Sequence, residues 1–409
     1  MDKIKLLKDL GERTERELMG NILPVWMERA VDRKGSGFIG GIDINGEPVP
    51  ERNRASVINA RILWTFSSVY LSYPKQEYLD MATRAYDYLF DKFWDKEYGG
   101  MYWILDCEGK PFDTKKQVYA QAFAIYALCE YYRAKPDPAV LDKAKMIYKM
   151  LEEKTFDKVN NGYFEVFSRE WGPLANDKML PTDVVCDKSM NTHLHVLEAY
   201  TNLYRVWKTP EVEERLRNLI RVTVDRIVDA KTGHFIMFFD KEWNSKVNRL
   251  SYGHDIEGSW LLYEAAEILG DEAILKEVRA VILRMADAVR AKTEDTPGII
   301  NEVDLDNPAH TDNDYVWWVQ AEAVVGFLNA YELSGDENYL ARAYNMWKFV
   351  DAHFVDDIKG EWFRRLSFER IKPKGNTMKA DEWKAPYHNG RMCLEVIART
   401  KRLLGGGGH

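Results

Sequence analysis

Histidine, carboxylate, arginine and tryptophan side chains cluster in this sequence where long apolar runs begin, and those positions are where chemistry is expected. Asn191, His193 and His195 open one run, and His254, Asp255, Glu257 and Trp260 open the next. Trp317, Trp318, Gln320 and Glu322 lie in a third, and Trp383, Tyr387, His388, Asn389 and Arg391 surround the start of the last. Arg61 lies in the first such run, and Tyr119 and Gln121 open the second. Imidazoles exchange protons near neutral pH, a guanidinium fork can bind two oxygens at once, and indole faces pack against sugar rings. The set therefore points to proton transfer on a carbohydrate.

Each residue type also has a plainer use. A histidine at a helix start can be a cap or a core residue, and tryptophans fill cores; Trp64, Trp103 and Trp362 read as structural, Trp318 and Trp383 as sugar platforms. Glu257 and Glu322 are candidates for the paired carboxylates of a glycoside hydrolase, and a non-catalytic sugar-binding scaffold would keep the tryptophans alone. No metal is expected. His193 and His195 are two residues apart on a helix and point to nearly opposite sides, there is no HExxH, and His254 with Glu257 is a weak ligand pair. No GxSxG elbow, Ser-His-Asp motif or phosphate-cradling glycine loop appears.

The elements that must position these residues repeat. Glycine-centred segments begin at Gly37, Gly99, Gly162, Gly233, Gly298 and Gly360, spaced 62 to 71 residues apart, and Asp32, Asp95, Asp157, Asp229, Asp295 and Asp357 precede them. Asp before a glycine turn stops a helix and starts a loop. Between these marks lie pairs of helical runs. The first of each pair is apolar nearly all round, and the second carries charge on one face, as a buried and a surface helix would. Six such pairs, counting a first helix near residues 5–30 and a last near 388–403, predict an all-α (α/α)6 barrel of about twelve helices, with short hairpin-like loops at one end. An open solenoid is the alternative. In a barrel, His195, His254 and His388 are expected at matching positions on alternate inner helices, converging at the mouth.

Composition fits one catalytic domain over residues 1–404, with GGGGH at 405–409 an appended tail. Of the 409 residues 46% are hydrophobic and 30% charged, so disorder is excluded. A net charge of −8 without a basic block argues against nucleic acid or an anionic membrane as partner. No bilayer-length apolar run or signal core appears, and the four scattered cysteines read as reduced, so a cytoplasmic protein is expected, a monomer or weak homodimer.

Five stretches carry a resemblance over nearly the whole chain: NARILWTFS (59–67), KSMNTHLHVLEAYTNLY (188–204), SYGHDIEGSWLL (251–262), WWVQAEAVVGFLNAY (317–331) and WKAPYHNGRMCLE (383–395). They resemble the N-acylglucosamine 2-epimerase superfamily, nearest to its branch acting on β-1,4-linked disaccharides. The resemblance implies a cofactor-independent (α/α)6 barrel that inverts C2 of a reducing-end aldose in substrates such as cellobiose, lactose or mannobiose. A mannose 2-epimerase or monosaccharide aldose–ketose isomerase would share the fold. It implies His254 and His388 as the acid–base pair, Arg61 on the enediolate oxygens and His195 in ring opening. It implies Tyr119, Asn191, Glu257, Trp260, Trp318, Glu322 and Trp383 as residues that hold the sugars, and Glu257 is expected to orient one imidazole. Asp314-Tyr315-Val316 and the basic PERNRAS stretch depart from the family pattern and bear on substrate preference.

Overall fold

The computed structural model describes residues 2–174 and 184–405. An inner ring is formed by α3 (Ser56–Ser72), α5 (Val118–Ala134), α7 (Met190–Val206), α9 (Tyr252–Leu269), α11 (Trp317–Ser334) and α13 (His388–Leu404). The outer layer is α1 (Lys3–Glu17) with α2 (Leu23–Glu28), then α4 (Gln76–Tyr88), α6 (Pro138–Lys154), α8 (Pro210–Val222), α10 (Glu272–Thr293) and α12 (Glu337–His353). Each inner helix packs on the next, and α13 returns to α3. The ring is closed, so the chain is an (α/α)6 barrel and not a solenoid. None of the described helices is long and apolar enough to cross a membrane.

Local sequence accounts for the helix ends. Asp137, Thr209, Asp271 and Asp336 accept backbone N–H bonds at the starts of α6, α8, α10 and α12, and proline follows the first two. Gly270 and Gly335 close α9 and α11 in the left-handed conformation. The uniformly apolar inner helices are covered all round; α5 buries every residue from Val118 to Tyr131.

Five of the six glycine segments fold as the same tight hairpin, closed by bridges Val31–Phe38, Trp94–Met101, Phe156–Tyr163, Val228–Phe235 and Val355–Trp362. In four of them one aspartate does two jobs. Asp32, Asp95, Asp157 and Asp356 each accept N–H bonds from the turn through Oδ1. Through Oδ2 they pair with Arg54, Lys116, Lys188 and Lys379 beneath the following inner helix. Asp356 holds the last turn where Asp357 was expected, because the earlier residue sits at the turn's first position. The segment at Gly298 departs: Ile300–Asp304 pairs with Asp312–Val316 in a longer hairpin, within a sheet that also takes in Arg249–Leu250 and Arg365–Leu366.

Gly162 shows how closely hairpin and barrel fit. Its φ is +85°, and a Cβ there would lie 2.7 Å from His193 Nε2 and 2.5 Å from the Trp243 ring. Gly162→Ala is expected to destabilise the protein by roughly 1–3 kcal/mol, read as a lowered denaturation midpoint; an unchanged midpoint would contradict this packing.

Candidate active site

The hairpins fix the rotation of the inner helices, and that rotation selects which side chains face the axis. Gln121, His193, Asp255 and Gln320 occupy one position of successive helices, and each accepts the backbone N–H of its hairpin, from Met101, Tyr163, Phe235 and Ile299. Two residues further, on the opposite side of each helix, come Phe123, His195, Glu257 and Glu322. Arg61 and Arg391 complete this ring from α3 and α13. His193 is thereby a structural residue: Nε2 accepts from Tyr163 and Nδ1 donates to the Ser189 carbonyl. His195 faces the cavity, as the i, i+2 spacing predicts.

His254 and His388 share one repeat position, three residues earlier than the ring and about 4.5 Å nearer the mouth at helical rise. Here the sequence reading needs correction. His195 and His254 stand on neighbouring helices, α7 and α9, and His195 lies about one turn deeper, two residues past the hairpin-bonding His193, whereas His254 is one residue before its counterpart Asp255.

A cavity of about 580 Å³ opens at the hairpin end. Arg61, Tyr119, Asn191, His195, His254, Glu257, Trp318, Trp383 and His388 all line it. Trp260 and Glu322 stand behind that wall: Trp260 Nε1 donates to Glu322 at 3.0 Å, and Glu322 accepts from His388 Nδ1 at 2.7 Å. Glu257 lies 3.9 Å from that nitrogen, so Glu322, and not Glu257, orients the imidazole of His388. His254 Nδ1 instead meets Ser251 Oγ at 2.7 Å, and His195 Nδ1 meets Glu198 at 2.9 Å. The Trp318 ring centre lies 4.6 Å from that of His254 and 5.7 Å from that of His388, so one indole spans the pair.

The floor is a buried charge cluster around Arg391. Its guanidinium donates to Glu257 at 2.6 Å and Glu322 at 2.7 Å, and also to Glu198 and the Tyr387 hydroxyl. Arg61 is different. It donates to the Trp383 carbonyl and the Tyr119 hydroxyl, both at 2.8 Å, rests on the Phe123 and Tyr387 rings, and makes no ion pair among the described residues.

Burial dominates the titration of these groups. It pushes His254 and His388 down to about 3, in His388 against the pull of Glu322, and it also lowers His195 against Glu198. Glu257 is raised by burial and by the neighbouring Glu322 charge. Burial opposes the charge of Glu322 as well, but Arg391 and the His388 bond outweigh it and hold that carboxyl below its ordinary range. Ligand atoms of Glu257, Glu322 and His388 lie within 4.8 Å of one another, a spacing a cation could use. Arg391 already bonds both carboxylates, which makes the place electrostatically unsuited to a metal. The same bonds tie both carboxylates to Arg391, and of the two only Glu257 lines the cavity.

Several residues were not assigned from sequence. Glu198 was legible as the i+3 neighbour of His195. Arg391 and Tyr387 were visible beside His388, but nothing local shows that Arg391 meets three distant carboxylates. Gln117 lines the cavity with both side-chain polar atoms buried and without a partner among the described residues, as is Asn191 Oδ1; these suit sugar hydroxyls. The departures noted in the sequence have structural uses: Asp314 pairs with Arg365 and Lys374 at the rim, Arg52 with Glu382 and Arg54 with Asp32.

Residues 37–389 match the family model of N-acylglucosamine 2-epimerase. The chain belongs to this family and is a carbohydrate epimerase/isomerase. It is 45% identical over 388 residues to the cellobiose 2-epimerase of Bacteroides fragilis, covering 95% of this chain and 98% of the relative. Identity to the cellobiose 2-epimerase of Dictyoglomus turgidum is 38%, covering 96% of this chain and 99% of that one. The solved structure of cellobiose 2-epimerase from Spirochaeta thermophila superposes with a TM-score of 0.91 at 36% identity, covering 97% of this chain and 98% of that one.

Arg391→Met would leave Glu198, Glu257 and Glu322 buried without their shared cation. A loss of about 3–5 kcal/mol is expected, measured by chemical denaturation, and Arg391→Lys should recover only part, since an ammonium cannot span all three.

Proposed function

We propose that the enzyme epimerises C2 of the reducing-end glucose or mannose of β-1,4-linked disaccharides, turning cellobiose into glucosyl-mannose, lactose into epilactose and mannobiose into mannosyl-glucose. The observation that carries this reading is the pair His254 and His388 at one level of the barrel, spanned by Trp318, above an arginine that no carboxylate neutralises. The high identity to two cellobiose 2-epimerases supports the disaccharide as substrate. The cavity volume falls within the range of pockets that bury a ligand of this size.

The chemistry requires an open-chain aldehyde, loss of the C2 proton and its return to the other face. His195, held by Glu198, assists ring opening. A C–H beside a carbonyl is a weak acid, so the enediolate must be stabilised, and the unpaired charge of Arg61 is suited to its two oxygens. A neutral His254 takes the proton. The returning proton comes from the opposite side, where His388, Glu257 and Glu322 form a coupled cluster. Burial keeps Glu257 protonated beyond the ordinary carboxylate range, so the cluster retains a proton for His388 to deliver. The reverse reaction exchanges the two roles. Proton delivery at C1 would give ketose, so minor aldose–ketose isomerisation accompanies epimerisation.

Incubation with cellobiose, lactose and mannose in D2O, followed by NMR, tests the reading. Deuterium at C2 with a manno product is expected from the disaccharides. Ketose alone would indicate an isomerase, turnover of mannose alone a monosaccharide enzyme, and glucose release from cellobiose a hydrolase. His388→Ala should abolish C2 exchange, and substantial exchange in that variant would refute the assigned pair.

The pH profile has a definite sign. A base whose pKa is depressed stays free as pH falls, so the acid limb of kcat/KM should lie below the ordinary histidine value of 6.5. The alkaline limb reports loss of the cluster proton and should lie well above the ordinary carboxylate value of 4.5. A profile falling away already above pH 6.5 on its acid side would contradict a buried neutral base.

A further inference from the structure

We infer that Ser251 is a positioning residue for His254, and that its lack of charge makes the two histidines of the site unequal. The inference rests on the epimerase reading for its consequence, and on geometry for its substance. His254 and His388 occupy equivalent positions of the repeat, one residue before Asp255 and Asn389 respectively. Three residues before His254 stands Ser251, the N-cap of α9, whose hydroxyl oxygen meets both the backbone nitrogen of His254 and its ring Nδ1, the latter at 2.7 Å. Three residues before His388 stands Ala385, which offers no hydroxyl. His388 takes its partner from α11 instead, the carboxylate of Glu322 at 2.7 Å, which Arg391 and Trp260 hold in turn.

The two partners differ in kind. A carboxylate only accepts, so it fixes Nδ1–H on His388 and favours the protonated ring. A hydroxyl can accept from Nδ1–H or turn and donate to Nδ1, so it orients the ring in either tautomer without adding negative charge. The other groups facing His254 are His195 from α7, His388 from α13 and Glu322 from α11, with Glu257 one turn along α9. Glu322 is bonded to His388, leaving Ser251 as the direct polar partner of the His254 ring among the described residues. His388 thus has a carboxylate bonded to its ring that opposes the effect of burial, and His254 has none. Ser251 also lines the cavity.

Three variants test this. Ser251→Asp keeps an N-cap but places a carboxylate against Nδ1. It should raise the acid limb of kcat/KM by about one to three pH units, with the ring-nitrogen NMR signals of His254 titrating upward by the same amount. Ser251→Ala should lower kcat about tenfold or more with KM changed little, since the ring loses its orienting bond, and Ser251→Thr should recover most of that loss. An unshifted acid limb and an unshifted His254 titration in folded Ser251→Asp would overturn the proposal, as would full kcat in Ser251→Ala. The ring-nitrogen titration needs no turnover. If the wild type leaves C2 of every sugar unexchanged, the epimerase reading fails while that titration still decides the role of Ser251.

Discussion

One guanidinium at the bottom of the cavity organises the rest of the site. Arg391 is buried and meets carboxylates from α7, α9 and α11, three of the five other helices of the inner ring. Each of those charges would be costly to bury alone, and a single cation with a planar fork satisfies all three at once. The consequence reaches beyond stability. Because Glu322 is fixed by Arg391 and Trp260, His388 has a defined orientation; because Glu198 is fixed by Arg391 and Tyr387, His195 has one too. Three carboxylates share one cation, and burial together with the Glu322 charge raises the pKa of Glu257 while Arg391 helps to hold those of Glu198 and Glu322 down.

The repeat explains how such a cluster can be assembled from distant parts of the chain. Each inner helix follows a hairpin, and in α5, α7, α9 and α11 one polar side chain near the helix start bonds that hairpin's backbone, which sets the rotation of the helix. The side chain two residues on must then face the axis. Arg61, Phe123, His195, Glu257, Glu322 and Arg391 occupy corresponding places, filled by two guanidiniums, two carboxylates, an imidazole and a phenyl ring. The scaffold specifies where the side chains meet, and residue identity alone specifies what they do.

The architecture was legible in the sequence because its determinants are local. Apolar runs such as α5, glycine turns at Gly99 or Gly162, and the Asp that begins each turn act over a few residues, so helix count and pairing follow directly. The same locality located most of the cavity wall, including His254, His388 and Arg61. It failed where a contact joins helices. Glu322 rather than Glu257 backs His388, Trp260 faces the floor instead of the sugar, and Arg391 is the centre of the cluster; each depends on the relative rotation of two helices, which no single run records. The depth of His195 was overlooked although it is local: it lies five residues past the start of α7, whereas His254 lies two past the start of α9, which puts it about one turn below.

The two arginines of the ring show how the barrel separates structural from reactive charge. Arg61 and Arg391 stand on adjacent helices with the Tyr387 ring between them, 5.1 Å from one guanidinium and 4.4 Å from the other. All three buried carboxylates bond Arg391, while Arg61 is held by neutral acceptors and aromatic faces that leave its charge uncancelled. An arginine paired with a carboxylate would meet an incoming anion with its charge already balanced, and binding would require that pair to break. Holding Arg61 by a carbonyl, a phenol and two rings keeps it rigid without that competition. Among the described residues Arg61 keeps an unbalanced charge because Arg391 takes up the buried carboxylates of α7, α9 and α11, so two guanidiniums on either side of one ring stand in opposite electrostatic settings.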